Sequence, residues 1–247
     1  MKQGEATNFA FIEPMKALPV TDLPVGGWLY ELKFDGYRAL AFKSGSEVRL
    51  LSRNRTLFND NYPQLVDSLK ALKAKSFIID GEIAALDEQG RSSFQLLQFY
   101  ALRKGIPLVY YAFDLLSLDG ADLRAQSLIE RRKLLAALLK KAPPNIRLSE
   151  ELRGSKEELL QLARQFRLEG LIAKRPDSLY EAGRRSGAWV KVKLYPAAGV
   201  CHRRLHAARR QPPILRRFGC RLPGPGRPPI RRPGGHRLLR ESLGAAV

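Results

Sequence analysis

The chain of 247 residues is 45% apolar and 27% charged, which supplies enough core-forming residues to exclude a wholly disordered polymer. No apolar run approaches the roughly 20 residues of a membrane span, the N-terminal stretch lacks a secretory-signal layout, and two cysteines cannot make a disulfide framework, so the expectation is a cytoplasmic protein with no membrane partner. A net charge of +19 points to a polyanionic partner, but it is uneven: 12 Arg and one Glu crowd into residues 196–247, with all three His, both Cys and half of the 16 prolines.

Short strands are predicted at Trp28–Leu32 and Tyr37–Phe42, and a third at Val48–Leu51 after a turn at Ser44-Gly45-Ser46. Pro63–Leu72 has helical periodicity, with Leu65, Val66, Leu69 and Leu72 on one face. Phe77–Ile79 and Ile83–Leu86 read as a strand pair broken at Asp80-Gly81-Glu82, Phe94–Leu102 as a helix and Pro107–Leu116 as a buried strand. Ser127 with Glu130, and Ser155 with Glu158, are spaced as capping boxes for helices running to about Lys141 and Phe166. Gly170–Lys174 and Trp189–Lys193 are the last predicted strands. Strands and helices without βαβ alternation predict an α+β fold built on antiparallel sheets flanked by helices.

Residues 1–195 contain no His and no Cys, which excludes Ser-His-Asp and Cys-His nucleophilic sites and ordinary zinc sites there. Lys, Arg, Asp and Glu remain, the set that handles phosphates and divalent metals. In Glu31-Leu-Lys33-Phe-Asp35-Gly36-Tyr-Arg38 a Lys at a strand end precedes a Gly that permits close backbone approach and an Arg, an arrangement that could present an amine to a phosphate. By itself the string fits a plain strand-to-turn junction equally well. Asp80 and Asp114 read as residues orienting backbone at turns, and Arg131-Arg132 and Lys140-Lys141 as solvated helix surface. Phe113, inside an apolar strand, fits plain core.

With further motifs in order, the chain resembles the covalent nucleotidyltransferases, and most closely the ATP-dependent DNA ligases of the bacterial end-joining type. The motifs are Leu51-Ser52-Arg53-Asn54, Asp80-Gly81-Glu82, Phe113-Asp114-Leu115-Leu116, Glu169 to Lys174 and Trp189 to Lys193, with KRPDSLY and GRRSGAWVKVK as the fuller strings. The resemblance implies an α+β nucleotidyltransferase (ATP-grasp-like) adenylation domain over residues 8–195. It implies ATP and Mg²⁺ (or Mn²⁺) as cofactors, and nicked double-stranded DNA as partner, with end-joining proteins alongside and the chain a monomer. It further implies that the Lys33 amine attacks the α-phosphate of ATP to give a lysyl-AMP. The amine must attack unprotonated, a state that nearby cations favour, and Arg38, Lys191, Lys193 and bound Mg²⁺ are the candidates. By the same resemblance Phe113 stacks on adenine, Glu31 lies beside the base, and Glu82 and Glu169 serve the metal, Glu82 also nearing the ribose. Arg38, Arg53, Arg185, Lys191 and Lys193 would bind phosphate or ribose oxygens. An RNA ligase or capping-type enzyme is the nearest alternative, and an inactive basic nucleic-acid-binding protein the alternative from another class.

Residues 196–247 match none of this. Their Arg/Pro/Gly richness fits an irregular basic tail, and their Cys and His spacing fits no paired zinc pattern. Read one base later, however, the degenerate codons of 196–213 and of 233–241 permit strings like the OB-type domain that follows in this family. The expectation is an out-of-frame remnant of that domain, with activity impaired by its loss.

Overall fold

The computed structural model describes residues 10–102 and 105–194. Residues 196–247, with every expectation placed on them, lie outside the described residues. In chain order the elements are β1 (Leu18–Pro19), β2 (Leu29–Leu32), β3 (Tyr37–Ser44), β4 (Glu47–Ser52), α1 (Pro63–Lys70), β5 (Ser76–Ala85), α2 (Phe94–Gln98), a 3-10 turn (Tyr100–Leu102) and β6 (Leu108–Leu118). There follow β7 (Ala121–Asp122), α3 (Leu128–Leu139), β8 (Ile146–Leu148), α4 (Lys156–Gln165), β9 (Gly170–Lys174) and β10 (Trp189–Lys193).

Two sheets result, one of four strands in the order β1-β10-β9-β2, and one of six in the order β4-β3-β5-β6-β7 with β8 paired to β6. Pairing is antiparallel except for β1 with β10 and β8 with β6. The α+β architecture on mainly antiparallel sheet is as the sequence predicts. The two-residue strands and β8 are too short for a periodic signal and were not expected.

Period-two alternation decides which side chains meet. On β3, Ala39 and Ala41 join the core beneath α1 (Leu65, Val66, Leu69), α2 (Leu97) and α3 (Leu135), whereas Leu40 and Phe42 pack with Met15, Leu116, Tyr180 and Trp189 where the sheets face each other. With both faces covered, β3 reads as a continuous apolar run. On β9 and β10, Leu171, Ala173, Val190 and Val192 pack on Leu159 and Ala163 of α4. The opposite parity (Ile172 and Lys174; Trp189, Lys191 and Lys193) is left for the facing side.

Three local expectations are corrected. Asp80-Gly81-Glu82 does not break a strand pair; β5 runs through it as one strand, absorbing the irregularity as register shifts between Ile78/Ile79 and Asp80/Gly81 against β6. The helix expected over 94–102 is a five-residue α2, capped by Ser93, followed by the 3-10 turn. The capping box at Ser155/Glu158 is complete, but at Ser127 only the serine-to-Glu130 N–H arm forms.

Candidate active site

The faces left open by this alternation enclose a cleft of about 930 Å³ between the sheets. Glu31, Lys33, Arg38, Arg53, Glu82, Phe113, Arg185, Lys191 and Lys193 all line it, so nine of the ten predicted site residues share one cavity. The tenth, Glu169, stands just before β9 and touches two of them. Lys33 Nζ donates to Glu169 Oε2, and Lys193 Nζ lies 3.9 Å from Glu169 Oε1. Arg53, in the exposed turn after β4, and Arg185, in the exposed irregular segment before β10, also line the cleft.

Lys33 is held by short-range constraints on either side. Its N–H donates to the carbonyl of Gly170 (3.0 Å), tying the end of β2 to β9. Asp35 accepts from the Phe94 N–H (3.0 Å) and its own N–H donates to Ser92 Oγ, which pins the turn to the start of α2. Gly36 is required by space: a Cβ there would lie 2.1 Å from the Ile83 carbonyl oxygen. Gly170 is in the same position, 2.0 Å from the Val192 carbonyl oxygen. The motif glycines thus let two strands close on the Lys33 turn.

The cleft is crowded with positive charge. Burial pushes the Lys191 ammonium down, and the like charges of Lys33, Lys193 and Arg185 push it further; a bound polyanion would relieve that repulsion. Glu82, half-buried, has its carboxyl pushed up to about 8, burial outweighing the attraction of Lys33 and Arg38, while Asp80 and Glu169 add repulsion. Among the described residues no cluster of three or more His, Cys, Asp or Glu side chains converges on a metal position. Glu82 and Glu169 are two carboxylates in one anion-friendly cleft, a donor set suited to a hard cation that takes one or two protein carboxylates and completes its shell with phosphate and water.

Beneath the cleft lie buried charge clusters that the sequence reading misplaced. Asp80 is no turn residue: it is fully buried in β5, accepting from Arg38 Nε (2.9 Å), Arg38 Nη2 (2.5 Å) and the Tyr180 hydroxyl (2.6 Å). Arg38 also donates to the Met15 carbonyl (2.6 Å), so three of its five N–H groups are committed before any ligand binds. Asp114 is likewise fully buried within β6, clasped by Arg131 at 2.7 and 2.8 Å. Arg132 pairs with Glu31 (2.5 Å), which is also bridged by Lys174 at 3.0 Å. Arg131 and Arg132 are therefore not solvated surface. Leu128, Arg131, Arg132 and Leu135 are the buried stripe of α3 at i, i+3, i+4 and i+7. Two arginines on the core-facing stripe were the available signal. Lys140 and Lys141 are exposed, as expected.

Phe113 is half-buried: it packs edge-on to Trp189 (6.2 Å between centroids) as a core residue does, and it also lines the cleft. Lys174 Nζ sits 4.6 Å from the Phe113 centroid and 4.4 Å from that of Trp189. Trp189 Nε1 is a buried donor without a partner among the described residues.

The cleft between the two sheets combines lysines and arginines with carboxylates and aromatic rings, a lining suited to a ligand that carries phosphate and a planar ring. The chain belongs to the ATP-dependent DNA ligase family: the family model described as ATP dependent DNA ligase domain matches residues 14–193. It is 40% identical over 192 residues to the multifunctional non-homologous end joining protein LigD of Pseudomonas aeruginosa, covering 77% of this chain and 23% of that protein. It is 36% identical over 194 residues to the multifunctional non-homologous end joining DNA repair protein LigD of Mycobacterium tuberculosis, covering 78% of this chain and 25% of that one. The solved mycobacterial DNA ligase D complexed with ATP and MES superposes with a TM-score of 0.66 at 35% identity, over 75% of this chain and 61% of that chain. The chain thus spans about a quarter of the length of these LigD proteins and carries an ATP-dependent DNA ligase domain of the LigD type. Among the described residues no helix is long and apolar enough to cross a membrane.

Proposed function

We propose that this domain performs covalent nucleotidyl transfer from ATP to nicked duplex DNA, with Lys33 as the nucleophile. The observation that carries the reading is the convergence of Lys33 with Glu82, Glu169, Lys191 and Lys193 on one cleft. The free amine of Lys33 attacks the α-phosphorus of ATP, forming a P–N bond as the bond to pyrophosphate breaks, and the proton leaves the nitrogen. The contact with Glu169 fixes Nζ at the cleft and opens for the attack. The AMP then passes to a 5′-phosphate at a nick, and the neighbouring 3′-hydroxyl displaces it to seal the strand.

Phe113 offers its face to the adenine, beside Glu31. Arg53, Arg185, Lys191 and Lys193 hold phosphate or ribose oxygens, and Arg38 contributes the N–H groups that Asp80 and Met15 leave free. Glu82 and Glu169 hold Mg²⁺ or Mn²⁺, which when bound neutralises phosphate charge. The setting we infer is bacterial cytoplasmic DNA repair and recombination, the chain acting as a monomer beside end-joining proteins. We infer further that residues 196–247 are an out-of-frame remnant, which would slow adenylation and sealing because closure of a second domain commonly completes such a site. Reading the coding DNA across codons 193–197 tests that part.

The central test is intact mass after incubation with ATP and Mg²⁺. One added AMP, absent in Lys33→Ala, is the expected result; no adduct, or an adduct that survives Lys33→Ala, would refute the assignment. Nicked DNA and nicked RNA offered in parallel to the adenylated protein identify the acceptor.

A further inference from the structure

We propose that Arg132 and Ser149, neither of which lines the cleft, are positioning residues for nucleotide recognition: they lock the Glu31 carboxylate, and through it the Lys174 ammonium, against the cleft wall. The inference rests on the ATP-binding reading above.

Glu31 and Lys174 both line the cleft, yet each is only 2% exposed. Glu31 Oε1 accepts from Arg132 Nη1 (2.5 Å) and Lys174 Nζ (3.0 Å); Oε2 accepts from Ser149 Oγ (2.8 Å) and Lys174 Nζ (3.0 Å). Four contacts fill the lone-pair sites of the carboxylate and leave it no free rotation. Lys174 alone could not do this, because an ammonium on a flexible stem is a point charge that tolerates many carboxylate orientations. Arg132 can, because its planar fork spans two fixed acceptors, Glu31 and the main-chain carbonyl of Ser149 (2.8 Å from Nη2). That fork fastens α3 and the segment after β8 to the end of β2, two residues before Lys33.

Stability is a poor explanation for the cluster. Well-packed apolar side chains commonly do as well as a buried ion pair, so a desolvated Arg–Glu–Lys triad is better accounted for by the geometry it imposes. Here that geometry holds Lys174 Nζ against the rings of Phe113 and Trp189, the first of them the ring proposed above to take the adenine. Arg132 and Ser149 come from 101 and 118 residues away in sequence, so their two bonds to Glu31 form only when α3 and the segment after β8 pack against β2.

The experiment is ATP titration of the full chain by calorimetry at low temperature, with near-UV circular dichroism confirming the folded state. Arg132→Met is expected to weaken ATP binding about tenfold, near the lower end for a hydrogen bond to a charged group, and Ser149→Ala about threefold, within the net range of an ordinary one. Arg132→Lys should not restore affinity, since one ammonium cannot span both acceptors. In a Glu31→Gln background Arg132→Met should cost nothing further, and selectivity for ATP over GTP should fall in Arg132→Met; a merely structural role would move neither. Wild-type affinity in folded Arg132→Met and Ser149→Ala, or an undiminished cost in the Glu31→Gln background, overturns the proposal. If Arg132→Met does not fold, Ser149→Ala decides by itself. If the unsubstituted chain binds no ATP, the nucleotide-binding reading fails and takes this inference with it; ATP binding that the variants leave unchanged sinks the inference alone.

Discussion

The Arg131–Asp114 pair offers the sharpest energetic test of this architecture. Both side chains are 0% exposed, and the pair is bidentate, with Arg131 Nε and Nη2 on the two Asp114 oxygens. Arg131→Met keeps the aliphatic bulk and removes both charge-assisted bonds. Asp114 is left with the Leu115 N–H as its remaining hydrogen bond from the described residues (2.8 Å). The Ser178 carbonyl still accepts from Leu128 N, and Gln126 is exposed, so the main chain adds little to the loss. Leaving a buried charge uncompensated costs about 3–5 kcal/mol. For a domain of this size that is a fall in Tm of roughly 6–20 °C, read by thermal unfolding. Burial pushes the Asp114 carboxyl up and Arg131 opposes it. Without Arg131 the folded state holds the Asp114 proton more firmly than the unfolded state does. The variant's deficit should therefore be smallest at low pH, where Asp114 is protonated in both states, and should grow as pH rises. Arg131→Met with Asp114→Asn, which removes both charges, should be more stable than Arg131→Met alone. A deficit below about 1 kcal/mol, or one independent of pH, would show that the pair is not the desolvated clamp described.

Three further outcomes are expected. Gly36→Ala, whose methyl would meet the Ile83 carbonyl, should cost about 1–3 kcal/mol of stability and displace the Lys33 turn, so adenylation measured by intact mass should fall more than stability accounts for; normal adenylation refutes the close-packing argument. Glu82, raised to about 8 in the folded state, favours folding while protonated, so its contribution is complete below about 4.5 and lost as pH rises through about 8. In metal-free buffer the Tm of Glu82→Gln should therefore gain on the unsubstituted chain between pH 5 and pH 8.5; a constant gap contradicts the raised value. ATP at a hundred times its Kd should stabilise the chain by about 2.7 kcal/mol, and Phe113→Ala should abolish most of that increment at the same ATP concentration; a full increment in Phe113→Ala removes it from the nucleotide site.

The sequence alone determined whatever depends on neighbours along the chain. Alternation along Trp189–Lys193 sets Lys191 and Lys193 on the same side of β10 as Trp189, away from α4, and the serine-to-glutamate spacing at Ser155 made a complete cap. The motif glycines are legible for the same reason: a residue without Cβ at the end of a strand signals a backbone in close approach. The absence of His and Cys before residue 196 narrowed the chemistry to amines and carboxylates before any fold was known. Only the tertiary structure decided which partner each buried charge meets. Arg131-Arg132 and Lys140-Lys141 look alike as dibasic pairs near one helix, yet the first lies on the face turned to the sheets and the second lies in water. Asp114 and Glu31, their partners, are strand residues 17 and 101 positions distant. Desolvating a charge is tolerable only where an opposite charge meets it. Whether one does is settled by how sheets and helices pack, a relation that no short window of sequence contains.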